Sequence, residues 1–134
     1  MSDDPHIAYF NMGQWPLYVG CTIRPGSFRK EMKRLGIAPC PDFLTTGHAN
    51  ATTHFLRTEG NLTAIVAMVK PGGHSREQVA GLIAHEAVHV AQELWEDIGE
   101  DEPGKEAEAY LVQMIVQCCL QEIYNTGRTR KTEP

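Results

Sequence analysis

The sequence predicts a single α+β domain, a small twisted sheet, antiparallel or mixed, packed against two long helices. Two observations predict it. The runs 51–57 and 62–69 are rich in β-prone residues and are separated by a turn sequence. The stretches 75–98 and 105–124 then place apolar residues at helical spacing. The chain of 134 residues is long enough for one hydrophobic core, and it shows no internal repeat and no dividing linker, so 1–134 reads as one domain.

Residues 1–15 have no clear period and are expected to be irregular. Leu17 to Thr22 is β-prone and stops before Pro25-Gly26, which predicts a short strand. Ser27 is placed to cap a helix to about Leu35, with Phe28, Met32 and Leu35 on one face and Gly36 ending it. Residues 37–50 carry Pro39, Pro41 and Gly47 and read as a loop. Ala51 to Arg57 and Leu62 to Val69 form a hairpin through Thr58-Glu59-Gly60-Asn61. The second run is almost wholly apolar, as a strand buried on both faces should be.

Pro71-Gly72-Gly73 ends the sheet. Ser75 and Gln78 make a capping box that opens a helix to about Ile98, with Val79, Leu82, Ile83 and Val90 as its apolar stripe. Asp101 to Gly104 connects it to a last helix, about Lys105 to Tyr124, with Val112, Ile115, Val116, Cys119 and Ile123 at helical spacing. Residues 125–134 are expected to be a flexible tail.

Composition excludes several classes. A formal charge of -5 argues against a nucleic-acid binder; the basic Arg128, Arg130 and Lys131 read as a solvated end. No run approaches the roughly 20 apolar residues of a membrane span. The acidic start Met1 to Pro5 lacks the apolar run of a secretory signal. Cys21, Cys40, Cys118 and Cys119 show no C-x-x-C spacing and read as reduced thiols, which points to a cytoplasmic setting.

The chemistry lies in His85-Glu86-Ala87-Val88-His89. Four residues apart on a helix, His85 and His89 project from one face, one turn apart, and can bind one zinc ion at about 2.0–2.1 Å each. Glu86 is rotated about 100° from His85, where it can serve water as a base without ligating. A shuffled chain of this composition would hold H-E-x-x-H about 2% of the time. The flanking Ile83, Ala84, Ala87, Val88, Val90 and Ala91 predict a largely buried helix, and a shared metal would satisfy its polar side chains.

This segment resembles the zincin metallopeptidases, whose signature is His-Glu-x-x-His on a helix. The metzincin branch adds Gly and a third His, where this chain has Gln92 and Trp95, so that branch is excluded. The gluzincin branch takes a Glu from a following helix, often in a Glu-Ala pair, and Glu108-Ala109-Tyr110 is similar to that pattern. The resemblance covers roughly 62–124 and extends to compact zincin-like peptidases of bacteria and phages, including proteases that cut repressors of mobile elements. It implies a Zn2+ site between the two long helices, held by His85, His89 and Glu108, with Glu86 as general base in peptide-bond hydrolysis. Periodicity also favours Glu108 over Glu106: Val112, Ile115, Cys119 and Ile123 lie within about 60° of Glu108, whereas Glu106 lies opposite. A carboxylate on such a stripe needs a partner or a metal.

Family members pair a substrate strand with the edge of their sheet. By resemblance an extended polypeptide would lie along the 51–69 sheet, with Thr53, His54 and Arg57 as contacts. Tyr110, Tyr124, His48, His54 and His74 are all candidates for the oxyanion donor, and spacing selects none of them. Gln92 and Glu93 follow the motif on the same helix, where a bond to a ligating His is the alternative to the solvation they read as; Trp15, Trp95, Met68 and Met114 read as packing residues. Two alternatives stand beside the hydrolase. One is a zinc-stabilised, non-catalytic binding module. The other is a metal-free structural or assembly component, for example of a phage particle.

Overall fold

The computed structural model describes residues 4–46 and 49–125. The fold is α+β: a four-stranded mixed sheet and three helices. The strands are β1 (Tyr9–Asn11), β2 (Leu17–Thr22), β3 (Ala51–Thr58) and β4 (Asn61–Met68), in the spatial order β1-β2-β4-β3. The helices are α1 (Pro25–Arg34), α2 (Arg76–Ile98) and α3 (Lys105–Tyr124). No helix among the described residues is long and apolar enough to cross a membrane.

The apolar run of β4 puts it at the centre. It pairs in parallel with β2, from Leu17 opposite Leu62 to Thr22 opposite Ala67, and antiparallel with β3. Alternation then divides its side chains between two cores. Leu62, Ala64, Val66 and Met68 join Leu17, Val19 and Cys21 against α2 and α3. On the other face Ile65 joins Ile7 with Phe28 and Met32 of α1. Each large aliphatic side chain so buried contributes about 1.5–3 kcal/mol. The turn between β3 and β4 is tighter than expected. Glu59 (φ 54°) and Gly60 (φ 85°) alone make it, and positive φ at both positions matches the right-handed twist of a hairpin.

Two expectations at the N-terminal end are corrected. Residues 1–15 are not irregular throughout, because Tyr9–Asn11 pairs antiparallel with β2. Gly20 makes room for this pairing: a Cβ there would stand 2.6 Å from Ile7 Cγ2. Ser27 is not the cap of α1. The helix begins two residues earlier on Pro25, whose fixed φ suits a first helical turn, and the Ser27 hydroxyl donates instead to Pro5 O at 2.6 Å. The expected flexible tail lies outside the described residues from 126 onward.

Around the motif the helix ends fall where capping chemistry puts them. Ser75 Oγ accepts from Gln78 N–H at 3.1 Å while Gln78 Oε1 accepts from Ser75 N–H at 2.8 Å. At the far end Gly99 takes the left-handed conformation, φ 74°, and closes the helix. All four cysteines are free thiols. Cys21 of β2 and Cys119 of α3 meet in the core, where their mutual hydrogen bond, then burial, pushes the Cys21 thiol well up.

Candidate metal centre

Helix α2 buries Val79, Ile83, Ala87, Val90, Ala91, Leu94 and Trp95 against the sheet and α3. At 100° per residue the histidines fall on the far side from that stripe, and both are exposed. Ala84 is exposed too, and Val88 retains 43% of its accessible surface. The expectation of a helix buried on nearly every side is therefore corrected. Alanine and valine beside the motif are surface residues here, as small apolar residues often are.

The two imidazoles nevertheless converge. His85 Nε2 and His89 Nε2 are 3.2 Å apart, with ring centroids 4.7 Å apart and planes at 75°. Two imidazole ligands of one tetrahedral zinc, each at 2.0–2.1 Å, present nitrogens roughly 3.3 Å apart. The separation of the two nitrogens matches that spacing. Gln92, one turn on, places Oε1 at 3.2 Å from His89 Nδ1, so it is a partner of the motif and not merely solvated.

Glu86 points between the histidines and the sheet. Its Oε1 accepts from the Thr53 hydroxyl at 2.6 Å, which ties α2 to the edge strand β3. Sequence reasoning named Thr53 as a substrate contact; the structure gives it to Glu86. A cleft of about 550 Å³ opens beside this bond, lined by Asn50, Ala51, His74, Gln78, Leu82, His85 and Glu86, with Gly81 in its wall.

Glu108 stands apart from this group. Its Oε2 accepts from Trp95 Nε1 at 3.1 Å, and Trp95 lies six residues past His89, about 9 Å along the helix. Among the described residues, no group of three or more His, Cys, Asp or Glu side chains is gathered where it could hold a metal. The expected site between the two long helices is therefore not assembled. The histidines face outward, whereas Glu108 serves the α2–α3 junction. It is half-buried, as its stripe implied, and Glu106 is exposed. The indole N–H is the partner it finds.

Of the proposed oxyanion donors among the described residues, only His74 lines the cleft with His85 and Glu86. His54 lies on the α1 face of the sheet, within hydrogen-bonding distance of Phe43 O and against the Phe28 ring. Tyr110 is 62% exposed on α3, and the Tyr124 ring sits under the Arg76 guanidinium. His48 lies outside the described residues. Arg57, expected to meet substrate, is paired with Asp97 of α2. Trp15 and Trp95 pack edge to face at 5.0 Å, as packing residues should. No family model, no curated protein and no solved structure matches the chain.

Proposed function

We propose that the protein is a zinc-dependent hydrolase of the metallopeptidase type. The observation that carries this reading is the 3.2 Å approach of His85 Nε2 to His89 Nε2, with Glu86 lining a cleft beside His85. When bound, zinc supplies Lewis acidity, polarising a carbonyl and acidifying water. The residues around it have separable tasks. His85 and His89 hold the ion. Thr53 fixes one carboxylate oxygen of Glu86, leaving Oε2 to take a proton from water and return it to the leaving amine. Strand β3 is an edge strand beside this carboxylate, which suits an extended polypeptide as substrate.

A catalytic zinc needs three protein ligands and an open position. Glu108 is the proposed third ligand, and in that role it must leave the indole N–H of Trp95 and the α2–α3 junction for the outward face of α2 that carries the histidines. Trp95 emission then changes as zinc is added, and Glu108→Ala removes both the change and tight binding. Zinc binding that leaves Trp95 emission unaltered and survives Glu108→Ala would restrict Glu108 to the helix junction.

The exposure of the histidines and the Thr53–Glu86 bond also suit the second reading, a zinc-stabilised binding module without catalysis. Glu86→Gln separates the two. Zinc-dependent cleavage of a peptide library by the unmodified protein, lost in Glu86→Gln with zinc retained, supports the hydrolase. Zinc bound by both with no cleavage by either supports the module.

A further inference from the structure

Helix α1 covers only part of its face of the sheet. It packs Phe28 and Met32 on Ile65, ends at Arg34, and the chain turns away through Gly36. Beyond that end a cleft of about 520 Å³ lies between α1 and the β3–β4 turn. Alternation puts Tyr18 of β2, Thr63 of β4 and Leu56 of β3 on this face, and Tyr9 of β1 joins them opposite Gly20. Leu35 and Ile37 form the wall on the helix side. Thr63 is buried, its hydroxyl 2.6 Å from that of Thr58, and the other five are half-buried. Apolar and aromatic surface is thus left facing a concavity of small-molecule size.

Three charged side chains border the cleft, Arg34, Arg57 and Glu59. Both cations are already neutralised. Arg34 makes two bonds to Glu31, and Arg57 is paired with Asp97. Among the described residues the Glu59 carboxylate has no partner. Its backbone stands at φ 54°, a conformation that Asn, Asp or Gly adopts at lower cost. The border therefore carries one unpaired charge, and it is negative. The Tyr18 hydroxyl also has no partner among the described residues, and it can accept a hydrogen bond.

We propose that this cleft binds a small organic amine in its protonated form: Glu59 pairs the ammonium, the Tyr9 and Tyr18 rings favour a cation beside them, and Leu35, Ile37 and Leu56 take the apolar body. An anionic ligand would be repelled by Glu59, and a neutral one would leave that charge without a partner. The cleft lies on the opposite face of the sheet from α2, so it stands whether or not the histidines bind zinc.

The test is a titration of the full chain followed by NMR of the backbone amides. The probes are 2-phenylethylammonium, 2-phenylethanol and 3-phenylpropanoate, which share an aromatic body and differ in charge. The ammonium should bind with a Kd of about 1 mM, about threefold or more tighter than either of the others. The amides of Tyr18, Leu35, Ile37, Leu56 and Glu59 should move most. Glu59→Gln should weaken the ammonium about threefold and leave 2-phenylethanol unchanged. Tyr18→Leu, which keeps an apolar floor without the ring, should weaken the ammonium more than the alcohol. The melting temperature of each variant shows that the fold is intact. Equal binding of the three probes would overturn the proposal, as would tighter binding of the carboxylate or shifts centred elsewhere in the chain. So would an ammonium affinity that Glu59→Gln leaves unchanged, or no ammonium binding below about 10 mM.

Discussion

Two polar clusters in this protein are built from similar parts and end in opposite states. Beneath the sheet, Glu31 of α1 is 3% exposed and accepts three hydrogen bonds. Tyr9 Oη donates at 2.5 Å, and Arg34 donates through Nε at 2.7 Å and Nη2 at 2.8 Å. On α2, His85 and His89 sit at the surface with nitrogen facing nitrogen. The first cluster joins α1 to β1 through the Tyr9–Glu31 bond. The second pairs two like groups at the surface, where the proposed cation would bind.

The largest effect should come from emptying the second cluster. His89→Ala and His85→Ala each weaken zinc binding about a hundredfold or more and leave the metal-free melting temperature near that of the parent, because neither side chain is in the core. A drop in stability of the metal-free variants would erase the contrast with Glu31.

The next effect comes from the first cluster. Tyr9→Phe removes a hydrogen bond to a charged group and should cost about 2 kcal/mol in urea unfolding, with zinc affinity untouched. The pH dependence has a definite sign. The Arg34 guanidinium holds the Glu31 carboxyl below the usual carboxylate range, against the opposing effect of burial. The stability it contributes is therefore complete above the ordinary value of 4.5 and is lost as pH falls through the lower folded value. Unfolding midpoints should fall more steeply with acid in the unmodified protein than in Glu31→Gln.

The sequence carried the two long helices almost to the residue, because their limits are set locally. Ser75 and Gln78 cap one end of α2, and Gly99 closes the other. The hairpin was legible for the same reason, apart from a turn two residues shorter than the turn sequence suggested. Strand β1 was not legible, since three residues carry little pattern and their pairing is non-local. Gly20, in the middle of an otherwise β-branched and apolar strand, was the available signal of a close neighbour.

At the site, His85 and His89 met as four-residue spacing requires. Their outward direction was missed because Ala84 and Val88 were counted toward burial, although the stripe from Val79 to Leu94 already fixed the inner face. Glu108 fell on the expected side of α3, but periodicity gives an angle and not a height. Its level on α2 is set by the short connection 99–104, which brings it beside Trp95 and past the histidines.

The central claim is that the paired histidines are a zinc site, and metal content tests it most directly. Protein incubated with zinc and freed of excess should hold one ion per chain, and His89→Ala prepared in the same way should hold none. An unmodified protein that emerges without zinc would contradict the claim and leave His85 and His89 as two surface side chains on an ordinary helix.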